Sequence, residues 1–334
     1  MENKIKPLNF DEKVRPEFKE EFAKFSHSFK DFQEDKFPAR RKEMNDQIKE
    51  FPKYHSENIL VETRNIPGPE NAPEIRIKIY KPKDRSSDKL PGVLWIHGGG
   101  QLFGSADFTA YWGPLLVEKV DCIVVAVDYR LAPEHPYPAG IEDCYAALVW
   151  MSKEPEELGG IDGSRIAVAG ESAGGNLTAA LCLLARDRKG PKICLQMPLC
   201  PMLDDRNQTH SSYEITDERV WNREVNLAAW KMYLKDYEGK ETPIYAAPSR
   251  AKDLSNLPPV YTFIGELDLF RDETIEYVQR LMQAGVPVDF HIYSGCFHVF
   301  EMLFPDLEFT KRVFNMSINA LKRVLHSVVK IESK

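Results

Sequence analysis

Apolar residues recur along this chain in three different rhythms. Over residues 1–50 charged positions surround a stripe of phenylalanines. Phe18, Phe22, Phe25, Phe29 and Phe32 follow one another at spacings of four, three, four and three, which predicts a helix. Pro16 suits the first turn of that helix. Two destinations for the stripe stay open: packing onto the main core, or forming part of a hydrophobic lid over a pocket. A membrane-surface helix comes third, because the polar face is mixed rather than basic. The second rhythm is alternation. Residues 58–66 and 74–80 alternate apolar and polar positions around Pro67-Gly68-Pro69, which predicts a hairpin at a sheet edge.

From residue 91 the pattern changes to continuous apolar runs separated by helical periodicity. The runs at 93–96, 122–127, 165–169 and 193–197 read as buried strands; 108–120, 139–152 and 173–186 read as helices. Such alternation indicates a parallel sheet covered on both faces. Between about 200 and 250 it breaks. A polar stretch at 204–217 precedes Trp221, Leu227, Trp230, Tyr233 and Leu234, which suggest one or two amphipathic helices. The rhythm resumes with strands at 260–264 and 288–293 and helices at 274–284 and 307–329. The expected fold is α/β, with a mostly parallel central sheet flanked by helices. Residues 51–199 and 251–334 form its core, and residues 1–50 and 200–250 form a helical cap on the same folding domain. No internal repeat or low-complexity segment interrupts it.

Four strand ends carry candidate chemistry. Gly170-Glu171-Ser172-Ala173-Gly174 joins the run at 165–169 to a small-residue helix. A G-x-S-x-G between strand and helix strains the serine and lifts its hydroxyl above the sheet. His97-Gly98-Gly99-Gly100 follows the strand at 93–96, and its glycines leave backbone N–H groups unshielded for a developing oxyanion. A flexible turn or a phosphate loop is the competing reading, but Gln101-Leu102-Phe103 supplies neither G-K-[ST] nor G-x-G-x-x-G spacing. Ala173 N–H, next to the serine, would be a further donor. His298 follows the strand at 288–293 and is the expected base, whereas His291 lies inside that strand and His97 belongs to the glycine loop. Asp268 follows the strand at 260–264 and is the expected acid, with Glu266 and Asp272 as rivals; Asp272 suits a helix start better. Ser172, Asp268 and His298 fall in the order nucleophile, acid, base, each after a separate strand.

Composition narrows the remaining classes. The 334 residues are 43% hydrophobic, enough for a sizeable core, and 44 basic against 51 acidic residues give a net charge of −7. That balance, without a basic aromatic stripe, argues against nucleic acid as a partner. The first residues lack the apolar core of a signal peptide, and no apolar run approaches the ~20 residues of a membrane helix. No stable membrane anchor is therefore expected. The six cysteines, at 122, 144, 182, 194, 200 and 296, form no C-x-x-C pair and read as free thiols in a reducing cytoplasm. Cys296, close to His298, is either a reactive thiol or loop packing. No residues show metal-ligand spacing, so neither a metal nor another cofactor is expected.

These motifs, with Asp128-Tyr129-Arg130-Leu131-Ala132-Pro133-Glu134, closely resemble the hormone-sensitive-lipase-like family of α/β-hydrolases. The resemblance runs from about residue 91 to 300. It implies an α/β-hydrolase fold, a Ser172–His298–Asp268 triad, and an oxyanion hole from the N–H groups of Gly99, Gly100 and Ala173. Gly98 is the weaker candidate donor. It implies a cap from the two segments above, and a structural brace at 128–134. Glu171 stands where an aspartate is usual and Gln101 where an aromatic is common; Leu269-Phe270 and Val299 also depart from the pattern. The departures bear on pocket shape rather than on the catalytic groups. The expected activity is that of a serine carboxylesterase acting on short- to medium-chain, small-molecule esters. A deacetylase or amidase is the alternative, and a non-catalytic receptor on the same fold is disfavoured by the presence of His298. Nothing in the sequence decides between a monomer and a homodimer.

Overall fold

The computed structural model describes residues 5–24, 29–30, 32–84, 89–155 and 158–326. Its elements run, in chain order, α1 (Phe10–Lys13), α2 (Pro16–Ala23), α3 (Phe37–Lys49), β1 (Ile59–Ile66), β2 (Ile75–Pro82), β3 (Leu90–Ile96), α4 (Trp112–Val120), β4 (Ile123–Val127), α5 (Ala139–Ser152), β5 (Ile161–Glu171) and α6 (Ala173–Asp187). They continue with β6 (Leu195–Leu199), α7 (His210–Glu214), α8 (Arg223–Tyr233), β7 (Val260–Leu267), α9 (Arg271–Gln283), β8 (Val288–Phe297), α10 (Phe300–Leu303) and α11 (Glu308–Leu325).

The strands form one sheet in the order β1-β2-β4-β3-β5-β6-β7-β8. β1 and β2 pair antiparallel at one edge, from Ile59 opposite Pro82 to Ile66 opposite Ile75. β2 joins β4 antiparallel, and every pairing from β4 to β8 is parallel. β3 and β4 are buried along their whole length, which explains why they read as unbroken apolar runs. From β3 the chain crosses to β4 on one side, and from β5 it crosses to β6 on the other. Right-handed crossovers in opposite directions place α4 and α6 on opposite faces and open a crevice at the carboxyl ends of β3 and β5.

Several helices differ from their expected extents. Pro114 lacks an N–H and is tolerated only in a first turn, so α4 begins at Trp112 and a short 3-10 turn, Ala106–Ala110, precedes it. The expected helix through the phenylalanine stripe ends at Ala23. Phe29 and Phe32 lie in irregular chain, and Phe25 is outside the described residues. The backbone of Phe29 bonds elsewhere: its N–H donates to the Glu218 carbonyl at 2.6 Å, and Asn222 Nδ2 donates to its carbonyl at 3.0 Å. The final helix begins at Glu308, one residue after its expected start, and residues 327–329 are outside the described set.

The stripe divides between two destinations. Phe18 is fully buried, its ring within 6.0 Å of the ring centroids of Phe297, Phe300, Phe304 and Phe309. Phe22 lies 4.7 Å from Phe297. These two are core. Phe29 lies against Trp221 at 5.8 Å and lines the pocket described below.

Candidate active site

Ser172 occupies the turn between β5 and α6 with φ 57° and ψ −117°, a left-sided conformation that a side chain rarely adopts. The sheet enforces that turn. A Cβ on Gly174 would lie 2.0 Å from the Ile96 carbonyl oxygen, and one on Gly170 would lie 2.4 Å from the same atom. Only glycine at both positions lets β3 and the β5–α6 turn approach this closely. The Ser172 N–H donates to Leu199 O and its carbonyl accepts from Met202 N, so the strained turn is held on both sides.

Ser172 Oγ lies 2.8 Å from His298 Nε2, and His298 Nδ1 lies 2.7 Å from Asp268 Oδ2. All three residues are buried. Asp268 Oδ1 accepts a further bond from Phe270 N–H at 3.0 Å, and the Phe270 ring stands edge-on to His298 at 5.1 Å. A carboxylate only accepts, so the Nδ1 proton points at Asp268 and the Nε2 lone pair is left to receive the serine proton. The expected rivals for the acid have other partners. Glu266 accepts from Ser294 Oγ at 2.6 Å and Gly295 N–H at 2.9 Å; Asp272 accepts from Ser211 N–H at 2.7 Å and pairs with Arg271.

The glycine loop faces the serine across the pocket. Gly99 and Gly100 have φ values of 110° and 60°, and both line the pocket with Ser172 and His298. Gly98 N–H is engaged, donating to Glu171 Oε1 at 3.1 Å, so the residue preceding the serine clamps the loop. His97 braces the loop from beneath: its ring stacks on Tyr129 at 4.3 Å, and the Tyr129 hydroxyl donates to the His97 carbonyl at 2.9 Å. Arg130 grips Asp143 through several bonds, which fixes the 128–134 stretch beside the site. Gln101 donates to Asn176 Oδ1 at 3.1 Å, and Asn176 in turn donates to Met202 O and Ala246 O.

Buried acids surround the relay. Burial pushes the Glu171 carboxyl up to about 7. Glu301 is fully buried, neither of its oxygens has a hydrogen-bond partner among the described residues, and burial beside Glu171 and Asp268 pushes it up to about 8. Cys200 adds a thiol: its Sγ lies within 4.8 Å of ligand atoms of Asp268 and His298. Three such atoms could share an ion, but Asp268 and His298 already bond each other, and burial holds the thiol well towards its protonated form. The Cys296 thiol is likewise buried and pushed up, which favours packing over reactivity.

α3 was absent from the sequence-based elements, yet it supplies Met44, Gln47 and Ile48 to the pocket wall. Its Arg41 donates to the Leu102 carbonyl at 2.6 Å and the Ala132 carbonyl at 2.5 Å, and pairs with Glu134 at 2.7 Å. Asn45 Oδ1 accepts from Gly104 N–H at 3.0 Å. The helix is thus pinned to the far end of the glycine loop. A signal existed: Phe37, Met44 and Ile48 are spaced by seven and four with Pro38 in the first turn. From the segment at 200–250, Val220 and Trp221 complete the cover, and Trp221 sits against the glycine loop so closely that a Cβ on Gly100 would meet its ring at 2.3 Å.

With that fold and these strand-end residues, the chain belongs to the alpha/beta hydrolase fold family, whose match spans residues 93–302. Among its relatives is carboxylesterase NlhH of Mycobacterium tuberculosis, 36% identical over 272 residues that cover 80% of this chain and 84% of that protein. Arylacetamide deacetylase of Bos taurus is 29% identical, covering 75% of this chain and 77% of that protein. In three dimensions the chain is similar to a bacterial heroin esterase, with TM-score 0.88 and 36% identity over 95% of this chain and 99% of that one. The resemblance to hormone-sensitive-lipase-like hydrolases is borne out.

Proposed function

We propose that the protein is a serine carboxylesterase whose nucleophile, base and acid are Ser172, His298 and Asp268. The observation that carries this reading is the hydrogen-bonded relay of 2.8 and 2.7 Å on the floor of an apolar pocket. Similarity to carboxylesterases and arylesterases over most of the chain supports it. His298 Nε2 takes the Ser172 proton as Oγ attacks the ester carbonyl, and Asp268 stabilises the imidazolium. The N–H groups of Gly99, Gly100 and Ala173 receive the oxyanion. His298 then protonates the departing alcohol, and water hydrolyses the acyl-enzyme by the same route. The segments 1–50 and 200–250 act as a cap that excludes bulk water. The cavity above Ser172, about 90 Å³, suits a short- to medium-chain group directly at the serine. The protein works in the cytoplasm, in keeping with six free thiols.

Ser172→Ala is expected to reduce kcat on p-nitrophenyl butyrate by about a million-fold, and Asp268→Asn by about ten-thousand-fold. Retention of full activity by Ser172→Ala would refute the assignment. Similarity to arylacetamide deacetylase favours a second reading, amide hydrolysis by the same residues. A matched ester and anilide pair separates the two by the ratio of their kcat/KM values.

A further inference from the structure

We propose that the substrate carries an anionic group at the end of one arm, and that this group seats in a second cavity beside the pocket. The inference rests on the ester-hydrolase reading and specifies which ester the site takes. The pocket at Ser172 holds only about 90 Å³, well below the roughly 300–1,000 Å³ of an ordinary ligand site. Directly beyond it lies a cavity of about 520 Å³. The two share a wall made of three apolar side chains, Ile48, Phe51 and Phe108. Ile48 stands in the last turn of α3, Phe51 just beyond it and Phe108 in the 3-10 turn before α4, so two of the three partition residues come from the N-terminal side of the sheet. An arm that ran from Ser172 into the far cavity would meet these three apolar side chains on its way.

The far cavity is different chemically. Its lining holds three ammonium side chains, Lys49, Lys53 and Lys78, against one carboxylate, Asp107. Lys78 is taken by Asp107 at 2.8 Å, and Lys49 by Asp46 at 2.7 Å. Lys53 is exposed and pairs with no carboxylate among the described residues. An apolar partition with an unpaired cation on its far side suits an ester with a hydrocarbon arm and a terminal carboxylate or phosphate. Neutral esters of equal length gain the apolar contact without the cation.

The test compares p-nitrophenyl octanoate with mono-p-nitrophenyl suberate, and octyl acetate with the acetate ester of ω-hydroxyoctanoic acid. The charged member of one pair is expected to have a kcat/KM about two- to fivefold higher, as one exposed charge contact provides. That preference is expected to shrink as salt is raised. Lys53→Glu is expected to invert it, and Phe51→Ala to raise kcat/KM for both long esters of that pair relative to p-nitrophenyl acetate. Ratios near one in both pairs, or a preference that Lys53→Glu leaves unchanged, overturn the proposal. Hydrolysis of p-nitrophenyl acetate and labelling of Ser172 by a fluorophosphonate report separately on the ester-hydrolase reading. If those hold and the ratios are flat, only the anionic arm is lost.

Discussion

Ser172 shows how few atoms decide the site. Its backbone stays at a positive φ because Ile96 O occupies the space that any Cβ at residues 170 or 174 would need. Gly174→Ala places a methyl 2.0 Å from that oxygen and 2.7 Å from His97 O, both on backbone that cannot swing away. We expect a loss of about 3 kcal/mol in urea unfolding, with activity falling further than stability. Glu301 makes a prediction of opposite character. Its folded-state carboxyl lies at about 8, above the 4.5 of an unperturbed glutamate, so the folded chain holds a proton that the unfolded chain releases between those values. Its contribution to stability is complete below pH 4.5 and declines as pH rises to about 8. The acids facing it, Glu171 and Asp268, keep that proton in place. Glu301→Gln should therefore unfold at a higher temperature than the parent at pH 9, with the gap closing towards pH 5. A constant gap across that range would count against it.

At the scale of elements, α2 and α3 do different work although both precede the sheet. α2 inserts Phe18 among Phe297, the last residue of β8 and the sequence neighbour of His298, and Phe300, Phe304 and Phe309 beyond it. Phe18→Ala is expected to cost about 3–5 kcal/mol, measured as a shift in the denaturation midpoint. α3 holds the glycine loop through Arg41 and Asn45. Arg41→Ala should leave the fold cooperative yet lower kcat by about ten- to a hundredfold, because donors aimed at an oxyanion lose effect when displaced. Near-UV circular dichroism with steady-state kinetics on p-nitrophenyl butyrate checks both halves of that expectation.

Across the whole molecule, the sheet brings chemistry together and the irregular segments close it in. β3, β5, β7 and β8 deliver the glycine loop, Ser172, Asp268 and His298 at their carboxyl ends, on both sides of the switch between β3 and β5. The N-terminal segment both packs into the core and walls the pocket. Removing residues 1–34 is therefore expected to lower the melting temperature by more than 10 °C, roughly what a loss of several buried phenylalanines brings, before any change in chain-length preference can be read. Differential scanning fluorimetry of the truncated chain decides this directly.

The sequence by itself determined the strands, the order of Ser172, Asp268 and His298, and the glycine loop, because each depends on local signals. Buried strands must be apolar, a nucleophile elbow needs glycine at fixed spacing, and strand-end loops carry the polar groups. Only the tertiary structure decided what the phenylalanine stripe does. A spacing of four and three is satisfied by a helix, but hydrogen bonds to the Glu218 carbonyl and from Asn222 captured the backbone of Phe29, and four distant phenylalanines formed the cage around Phe18. The same holds for Arg41, whose partners at 102, 132 and 134 lie far along the chain, and for Glu301, whose protonation follows from burial beside Glu171 and Asp268. Local periodicity sets which residues are apolar; long-range contacts, which no local pattern encodes, set where they go.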